Sequence, residues 1–119
     1  MQPFTAQVIH IIQSIPAGKV MTYGQVAACA GQPRGARQVV RILHSMSEAH
    51  RLPWHRVVNR LGEIALADPD GRMSQELALE AEGVEITRGR VDLEVYRYTP
   101  GEGETEGNEA GGSDPEPVK

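Results

Sequence analysis

The sequence predicts a mainly α-helical fold with a small β wing, arranged as a winged helix-turn-helix. Three observations predict it. Apolar residues recur at helical spacing near the N-terminus, two helical segments flank a Gly-containing turn at residues 31–33, and short extended runs surround Gly62. One domain is expected over residues 1–100, because about 100 residues is a common size for a single hydrophobic core.

The first helix is predicted near the N-terminus. Its apolar residues share one helical face, which we expect to pack inward: Phe4, Val8, Ile11, Ile12 and Ile15. Pro3 suits a first helical turn, and Pro16 with Gly18 ends the segment.

Two further helices make the predicted helix-turn-helix. Thr22 is a suitable N-cap for a short helix to about Ala30, and a second helix is predicted over residues 34–46. One stripe of this second helix is apolar and predicted to pack inward: Ala36, Val39, Val40 and Leu43. A different face carries basic side chains that can meet phosphates: Arg37, Arg41 and His44.

The wing is predicted after this second helix. Residues 47–53 read as a loop, and residues 56–58 and 63–66 are short extended runs on either side of Gly62. We expect these two runs to pair as a small hairpin.

A turn, a helix and an extended piece complete the predicted domain. Asp-Pro-Asp-Gly at residues 68–71 predicts a turn, and a helix follows over residues 72–82 with Gly83 as its stop. The expected core face of this helix carries Met73, Leu77 and Ala81. Residues 91–98 are predicted to be extended.

The charge is distributed unevenly along the chain. The formal net charge is -4, but residues 101–119 carry six acids and one Lys. This Gly-, Glu- and Pro-rich tail is predicted to be disordered, because it cannot bury enough apolar surface to offset its ordering. Between Lys19 and Arg60 there are seven basic residues and one acid, Glu48. Such a basic region predicts a polyanionic partner.

Several classes of protein are excluded by what the sequence lacks. No apolar run approaches the ~20 residues needed to span a bilayer, and no leader peptide is evident at the N-terminus. Cys29 is the only cysteine, so an internal disulfide and a Cys-rich metal site are excluded. We expect a cytoplasmic monomer with no metal, no cofactor and no membrane partner.

Two positions could carry chemistry when the residues are considered by themselves. Trp54-His55-Arg56 follows a proline in the basic region, and base stacking on an aromatic ring contributes roughly 1–3 kcal/mol. A lone Trp in a small domain is also a common core residue, so both interpretations stay open. Cys29 lies in an Ala-Ala-Cys-Ala run expected to pack inward, and a structural role is favoured over a nucleophilic one.

Four motifs in order resemble the O6-alkylguanine-DNA alkyltransferases. Residues 22–27, Thr-Tyr-Gly-Gln-Val-Ala, resemble the start of that family's helix-turn-helix, and residues 33–39, Pro-Arg-Gly-Ala-Arg-Gln-Val, its recognition helix. Residues 52–58, Leu-Pro-Trp-His-Arg-Val-Val, resemble the active-site loop, and residues 80–84, Glu-Ala-Glu-Gly-Val, the end of its closing helix. Trp54 stands where those enzymes have the Cys that accepts the alkyl group. The chain therefore resembles the alkyltransferase-like proteins in particular.

This resemblance implies a function and a set of residues. Tyr23 would hold the backbone phosphate of a flipped nucleotide, and Arg37 would enter the duplex where the base had been, with the second helix in the minor groove. The predicted wall of the lesion pocket is Tyr23, Trp54, His55, Val57, Val58 and Ala67. The predicted DNA contacts are Thr22, Tyr23, Arg34, Gly35, Ala36, Arg37, Gln38, Arg41 and Arg56.

His55 and Glu82 match the pair that helps to ionise the Cys in active family members. Without that Cys the pair is left as a structural remnant, which we expect to hold the pocket loop. Two departures from the family are also present. Met46 replaces an Asn that braces the turn before the active-site loop, so the brace must differ, and residues 66–71 lack the Tyr that helps to activate the leaving group, which agrees with lost catalysis.

The sequence thus predicts a protein that binds double-stranded DNA containing O6-alkylguanine, flips the lesion and does not dealkylate it. Resemblance further implies that it flags lesions for nucleotide excision repair proteins. Two alternatives remain: an enzyme that dealkylates through Cys29 or a His55-activated water, and a sequence-specific or general DNA-binding helix-turn-helix module.

Overall fold

The computed structural model describes residues 2–100 and contains mainly short helices. Its α-helices are α1 (Pro3–Gln13), α2 (Tyr23–Cys29), α3 (Ala36–His50), α4 (Pro69–Ala81) and α5 (Leu93–Tyr96). Its strands have two residues each: β1 (Met21–Thr22), β2 (Val57–Val58), β3 (Ile86–Thr87) and β4 (Arg90–Val91). A 3-10 turn at Trp54–Arg56 precedes β2. The predicted disordered tail, residues 101–119, lies outside the described residues.

Helix α1 confirms the first predicted helix. Pro3 occupies its first turn, where a missing backbone N–H costs nothing, and the side chain of Ser14 donates to the Ile11 carbonyl as the helix ends. Val8, Ile11 and Ile12 on its inner face are buried, as predicted.

The helix-turn-helix begins with the predicted cap. The Thr22 hydroxyl accepts a hydrogen bond from the Gln25 backbone N–H, while the Gln25 side chain accepts one from the Thr22 N–H. This capping box satisfies two donors that a helix N-terminus leaves unpaired. Gly31, with φ of 95°, makes the turn into α3.

Helix α3 is longer than predicted, and its buried face differs. The prediction of a loop at residues 47–50 is wrong, because no helix breaker occurs there. The helix ends at His50, and its C-cap, Arg51, has a left-handed φ of 52°. Val39 is buried as predicted, but Val40 is 45% exposed and Ile42 takes the inward position. Val40 lies instead on the side of α3 that faces the loop of Trp54.

The predicted hairpin between residues 56–58 and 63–66 does not form. Strand β2 pairs in parallel with β1, matching Met21 with Val57, whereas Glu63 bridges to Arg90. The Asn59 side chain accepts hydrogen bonds from the N–H groups of Leu61 and Glu63 and turns the chain away from β2. The antiparallel pair in the described residues is β3 with β4.

Gly62 determines how this turn meets β4. Its N–H donates to Asn59, its carbonyl accepts from Val91, and its φ is 80°. A Cβ at this position would lie 2.3 Å from the Val91 carbonyl oxygen. Only glycine therefore permits this close approach.

Helix α4 starts earlier than predicted and buries another face. Asp68 is its N-cap, and the predicted turn at residues 68–71 is the cap with the first helical turn. Met73 and Leu77 are 64% and 60% exposed, and Ala81 is exposed too, so the predicted core face is wrong. The buried side chains are Gln75 and Leu79, because this edge of α4 contacts the 3-10 turn.

Gly83 ends α4 as predicted. Its φ is 90°, its N–H donates to the Glu80 carbonyl, and the next N–H, of Val84, donates to the Leu79 carbonyl. These two bonds form a Schellman motif. The predicted extended piece at residues 91–98 is interrupted by α5, which Asp92 caps through the Glu94 N–H.

The buried residues form two neighbouring clusters. The first lies among α1, α2 and α3, and the second surrounds Val20, Val58 and Leu79. Strand β2 joins them, with Val57 in the first cluster and Val58 in the second. No helix in the described range, residues 2–100, is long and apolar enough to cross a membrane.

Candidate nucleic-acid interface

The 3-10 turn presents Trp54 between α3 and α4. Leu52 is buried and anchors the chain before the turn, and the Trp54 N–H donates to the Leu52 carbonyl at 2.8 Å. Trp54 is half-buried, and its ring meets that of His55 edge to face at 6.4 Å. Part of the Trp54 ring remains accessible, so the structure does not support the interpretation of Trp54 as a residue that serves only the core.

A cavity of about 280 Å³ lies against Trp54. It is close to the lower end of the range of small-molecule pockets, about 300–1,000 Å³. Its wall combines apolar and polar side chains: Tyr23, Val40, Leu43, His44, Ser47, Trp54, Leu66 and Gln75. Burial raises the pKa of Tyr23, so its hydroxyl stays protonated and can donate a hydrogen bond.

Two of the predicted pocket residues, Tyr23 and Trp54, line this cavity. Val57 and Val58 do not, because both are 1% exposed and their side chains pack in the cores on opposite sides of β2. Ala67 is exposed and is also absent from the wall, where its neighbour Leu66 lies instead. The carbonyl oxygens of Leu66 and Ala67 both accept hydrogen bonds from Arg72.

Helix α3 supplies four wall residues that the sequence analysis missed. They are Val40, Leu43, His44 and Ser47, which follow the spacing i, i+3, i+4 and i+7 of one helical face. That spacing was available in the sequence. The mixed polarity of this face hid the pattern, because His44 and Ser47 are polar and do not continue an apolar stripe.

His55 belongs to a polar cluster that holds the loop rather than to the cavity wall. Its Nε2 lies 2.8 Å from Oε2 of Glu82, so the predicted pair is formed. Glu82 also accepts hydrogen bonds from the Arg56 guanidinium and from the Gly18 N–H. The cluster thus ties the 3-10 turn to the end of α4 and to the chain after α1.

Glu82 is ionised in this cluster. Burial of its carboxyl raises the pKa, but hydrogen bonds from Arg56, Gly18 and His55 together outweigh that effect and lower the pKa from 4.5 to about 2. The partners also offset the unfavourable position of a negative charge at a helix C-terminus.

Arg56, a predicted DNA contact, also makes several bonds within the protein. Besides the Glu82 carboxylate, its guanidinium donates to the Ile15 carbonyl at 2.9 Å, and its side chain is 18% exposed. These bonds use the Nε, Nη1 and Nη2 groups to hold the loop, and a contact of Arg56 with DNA stays a prediction.

A basic groove runs along the start of α3. It has a volume of about 490 Å³ and is lined by Gln32, Pro33, Arg34, Gly35, Arg37, Gln38 and Arg41. Its three arginines are exposed, and none forms a salt bridge within residues 2–100. Guanidinium groups without a protein carboxylate partner are suited to binding phosphate.

Of three other predicted DNA contacts, one lines the groove and two do not. Thr22 is 5% exposed and its hydroxyl is engaged in the capping box, so its side chain supports the start of α2, and its contact with DNA stays a prediction. Ala36 is half-buried and does not line the groove. Gly35 lines it, but a Cβ there would lie 3.1 Å from the Phe4 ring, so its small size also serves the packing of α3 on α1.

Cys29 is exposed, which corrects the prediction that it packs inward. It lies at the end of α2 and is not part of the cavity wall. Met46, in place of the family's Asn, packs against the first cluster, and the turn after α3 is closed by the Leu52 N–H donating to the Ser47 carbonyl at 2.9 Å.

A larger hollow of about 840 Å³ lies along β3, β4 and α5. It shares no lining residue with the cavity or the basic groove, and its wall carries four acids and two arginines: Glu63, Glu85, Asp92, Glu94, Arg88 and Arg90. Phosphates would be repelled there. Among residues 2–100, no cluster of three or more His, Cys, Asp or Glu could hold a metal ion.

Comparison with known proteins identifies the family. Residues 3–84 match the profile of the 6-O-methylguanine DNA methyltransferase DNA-binding domain. The DNA base-flipping protein of Escherichia coli K12 is 50% identical over 96 residues, which cover 80% of this chain and 74% of that protein. Alkyltransferase-like protein 1 of Schizosaccharomyces pombe is 41% identical over 106 residues, covering 84% and 98%.

The structural comparison agrees with the sequence comparison. The crystal structure of S. pombe Atl1 in complex with damaged DNA containing O6-carboxymethylguanine matches with a TM-score of 0.76 and 37% identity, over 84% of this chain and 98% of Atl1. The chain therefore belongs to the family of the 6-O-methylguanine DNA methyltransferase DNA-binding domain and is a DNA-binding protein of the alkyltransferase-like type.

Proposed function

We propose that this protein binds O6-alkylguanine in double-stranded DNA, turns the lesion out of the duplex and holds it in the cavity beside Trp54 without removing the alkyl group. One observation carries the proposal: α3 lines both the basic groove and the cavity. Arg37 and Arg41 belong to the groove, whereas Val40 and His44 belong to the cavity. A duplex bound along the groove therefore lies beside a cavity that can receive one of its bases.

Binding to the duplex rests on the three free arginines of the groove, Arg34, Arg37 and Arg41. We propose that α3 enters the minor groove and that Arg37 fills the gap left by the lesion. Extruding a base costs a few kcal/mol, and a side chain left in the stack lowers that cost. The damaged DNA bound by S. pombe Atl1 and the name of the E. coli relative support this proposal.

The groups around the cavity support the absence of alkyl transfer, because its wall carries no Cys: Tyr23, His44 and Ser47 line it, and none of them is a thiol. Transfer needs a nucleophile beside the alkyl carbon, and Trp54 offers only an aromatic ring and a donor N–H. Cys29 is not part of the cavity wall. The hydrogen-bonded cluster of His55, Arg56 and Glu82 then serves to hold the turn that presents Trp54.

A protein that binds a lesion and leaves it intact acts through a later step. We propose that this step is nucleotide excision repair, in which the bound monomer marks the lesion for repair proteins in the cytoplasm. The support for this partner is the resemblance to the alkyltransferase-like proteins.

The experiment is a titration of matched duplexes with and without one O6-methylguanine at fixed salt, followed by mass analysis of protein and DNA. We expect preferential binding to the lesion, unmodified protein and intact O6-methylguanine. A methyl group on Cys29, or its loss to water, would make the protein an enzyme. Equal affinity for both duplexes would make it a general DNA-binding module.

A further inference from the structure

Gln75 is a buried polar residue whose hydrogen bonding is incomplete. It is 3% exposed, and the other buried polar residue among residues 2–100 is Thr22. The hydroxyl oxygen of Thr22 accepts a hydrogen bond from the Gln25 N–H in the capping box. Gln75 differs from Thr22 because its side-chain oxygen accepts no hydrogen bond within residues 2–100.

Both hydrogen atoms of the Gln75 amide are used inside the protein. Its Nε2 donates to the His55 carbonyl and to the Val57 carbonyl, each at 3.1 Å. Two carbonyl oxygens on that side require the NH₂ group there, which determines the orientation of the amide. These bonds also brace the 3-10 turn that carries Trp54.

The amide oxygen, Oε1, has no hydrogen-bond donor within residues 2–100. A buried acceptor without a partner costs about 1–3 kcal/mol, so such groups are rare in folded proteins. Gln75 is also part of the cavity wall, together with Tyr23 and Trp54. A ligand in the cavity can therefore supply the hydrogen-bond donor that Oε1 lacks.

The identity of that donor rests on the proposed function. Alkylation at O6 removes the N1 proton of guanine, so N1 becomes an acceptor and the 2-amino group is the only N–H donor left on the base. We propose that Oε1 of Gln75 accepts a hydrogen bond from this 2-amino group. Gln75 then determines specificity for purines that carry a 2-amino group, because a base without one leaves the buried oxygen unpaired.

The test compares two lesions that differ only in this amino group. Affinities are measured for duplexes with O6-methylguanine or O6-methylhypoxanthine, for the full chain and for Gln75→Met and Gln75→Lys. Lysine can still donate to the two backbone carbonyls but has no acceptor, so it separates bracing of the turn from recognition of the base. Gln7→Met makes the same chemical change at an exposed position outside the cavity wall.

The readout is how far substitution of Gln75 changes the ratio of the two affinities. Removing the amino group also weakens the base pair and eases flipping, but this DNA effect is the same for every protein variant and cancels in the comparison. We expect the preference for O6-methylguanine to fall about tenfold in both Gln75 variants, in the range of one hydrogen bond. Gln7→Met should keep the preference of the unmodified protein.

The outcomes separate this inference from the proposed function. If lesions are still preferred over guanine but both Gln75 variants keep the original ratio within twofold, the role of Gln75 is overturned and the proposed function stands. If O6-methylguanine and guanine duplexes bind the unmodified protein equally, both are overturned. Because the readout is a ratio of two affinities, a variant with a smaller folded fraction still gives a decisive answer. If Gln75→Met fails to fold, the same ratio is measured with Gln75→Lys.

Discussion

Replacing Glu82 by Gln tests whether the polar cluster holds the loop of Trp54. The change removes the charge that pairs with Arg56, whose guanidinium lies 2.6 Å from the carboxylate. At about 1.4 kcal/mol per pKa unit, lowering the Glu82 pKa from 4.5 to about 2 sets an upper limit of about 3 kcal/mol. Solvent screening at the partly exposed edge reduces this, so we expect a loss of about 2 kcal/mol of unfolding free energy at pH 7.

The loss depends on pH in a defined direction. The Glu82 pKa is lower in the folded protein than in the unfolded chain, so the stabilisation is complete above about pH 5 and disappears as pH falls from 4.5 towards 2. The difference in unfolding free energy between the unmodified protein and Glu82→Gln should therefore shrink over this range.

Urea denaturation from pH 7 to pH 2.5, followed by the fluorescence of Trp54, measures this difference, because Trp54 is the only Trp in the chain. Glu80→Gln is the matched control: it makes the same change two residues earlier, at an exposed position of α4. Equal stability of Glu82→Gln and Glu80→Gln at pH 7 would refute the reasoning, as would a difference that persists unchanged at pH 2.5.

Four further predictions concern binding and folding. Arg37→Ala should weaken binding to an O6-methylguanine duplex more than binding to the undamaged duplex, and equal losses in a titration would reduce Arg37 to a phosphate contact. Trp54→Ala should weaken lesion binding by roughly 1–3 kcal/mol if a base stacks on the ring, with thermal melting as the check on folding. Gly62→Ala should lower the unfolding free energy by at least about 1 kcal/mol, because a Cβ would clash with Val91 and φ is positive; an unchanged melting temperature would contradict this. Deleting residues 101–119 should raise affinity for undamaged DNA at low salt, since the acidic tail would compete for the basic groove, and unchanged affinity would exclude that competition.

One helix lines both of the proposed binding surfaces. Because α3 lines the basic groove on one side and the cavity on another, a shift of this helix would alter both. The turn after α3 is closed by Leu52 and Ser47, and the following 3-10 turn is braced by Gln75 and Glu82. These bonds hold the loop of Trp54 in a defined place beside the cavity.

Local signals in the sequence determined much of the helical structure. These signals act over one or two helical turns. The structure confirms Pro3 and the apolar spacing of α1, the Thr22 cap of α2, and the end of α4 at Gly83. The exposed arginines of α3 follow from the same helical period. The prediction that Trp54 stands in the place of the family's Cys likewise rests on the sequence alone.

Only the tertiary structure decided how the short elements meet. Strands of two residues carry no periodic signal in the sequence. The sequence therefore did not reveal that β2 pairs with β1 and not with residues 63–66. Helix α4 has apolar residues on more than one side, and its contact with the 3-10 turn selected Gln75 and Leu79 for burial. The engagement of Arg56 with Glu82 joins residues 26 positions apart. Packing of distant segments, and not local propensity, thus determined which side chains line the cavity and which ones only hold it in shape.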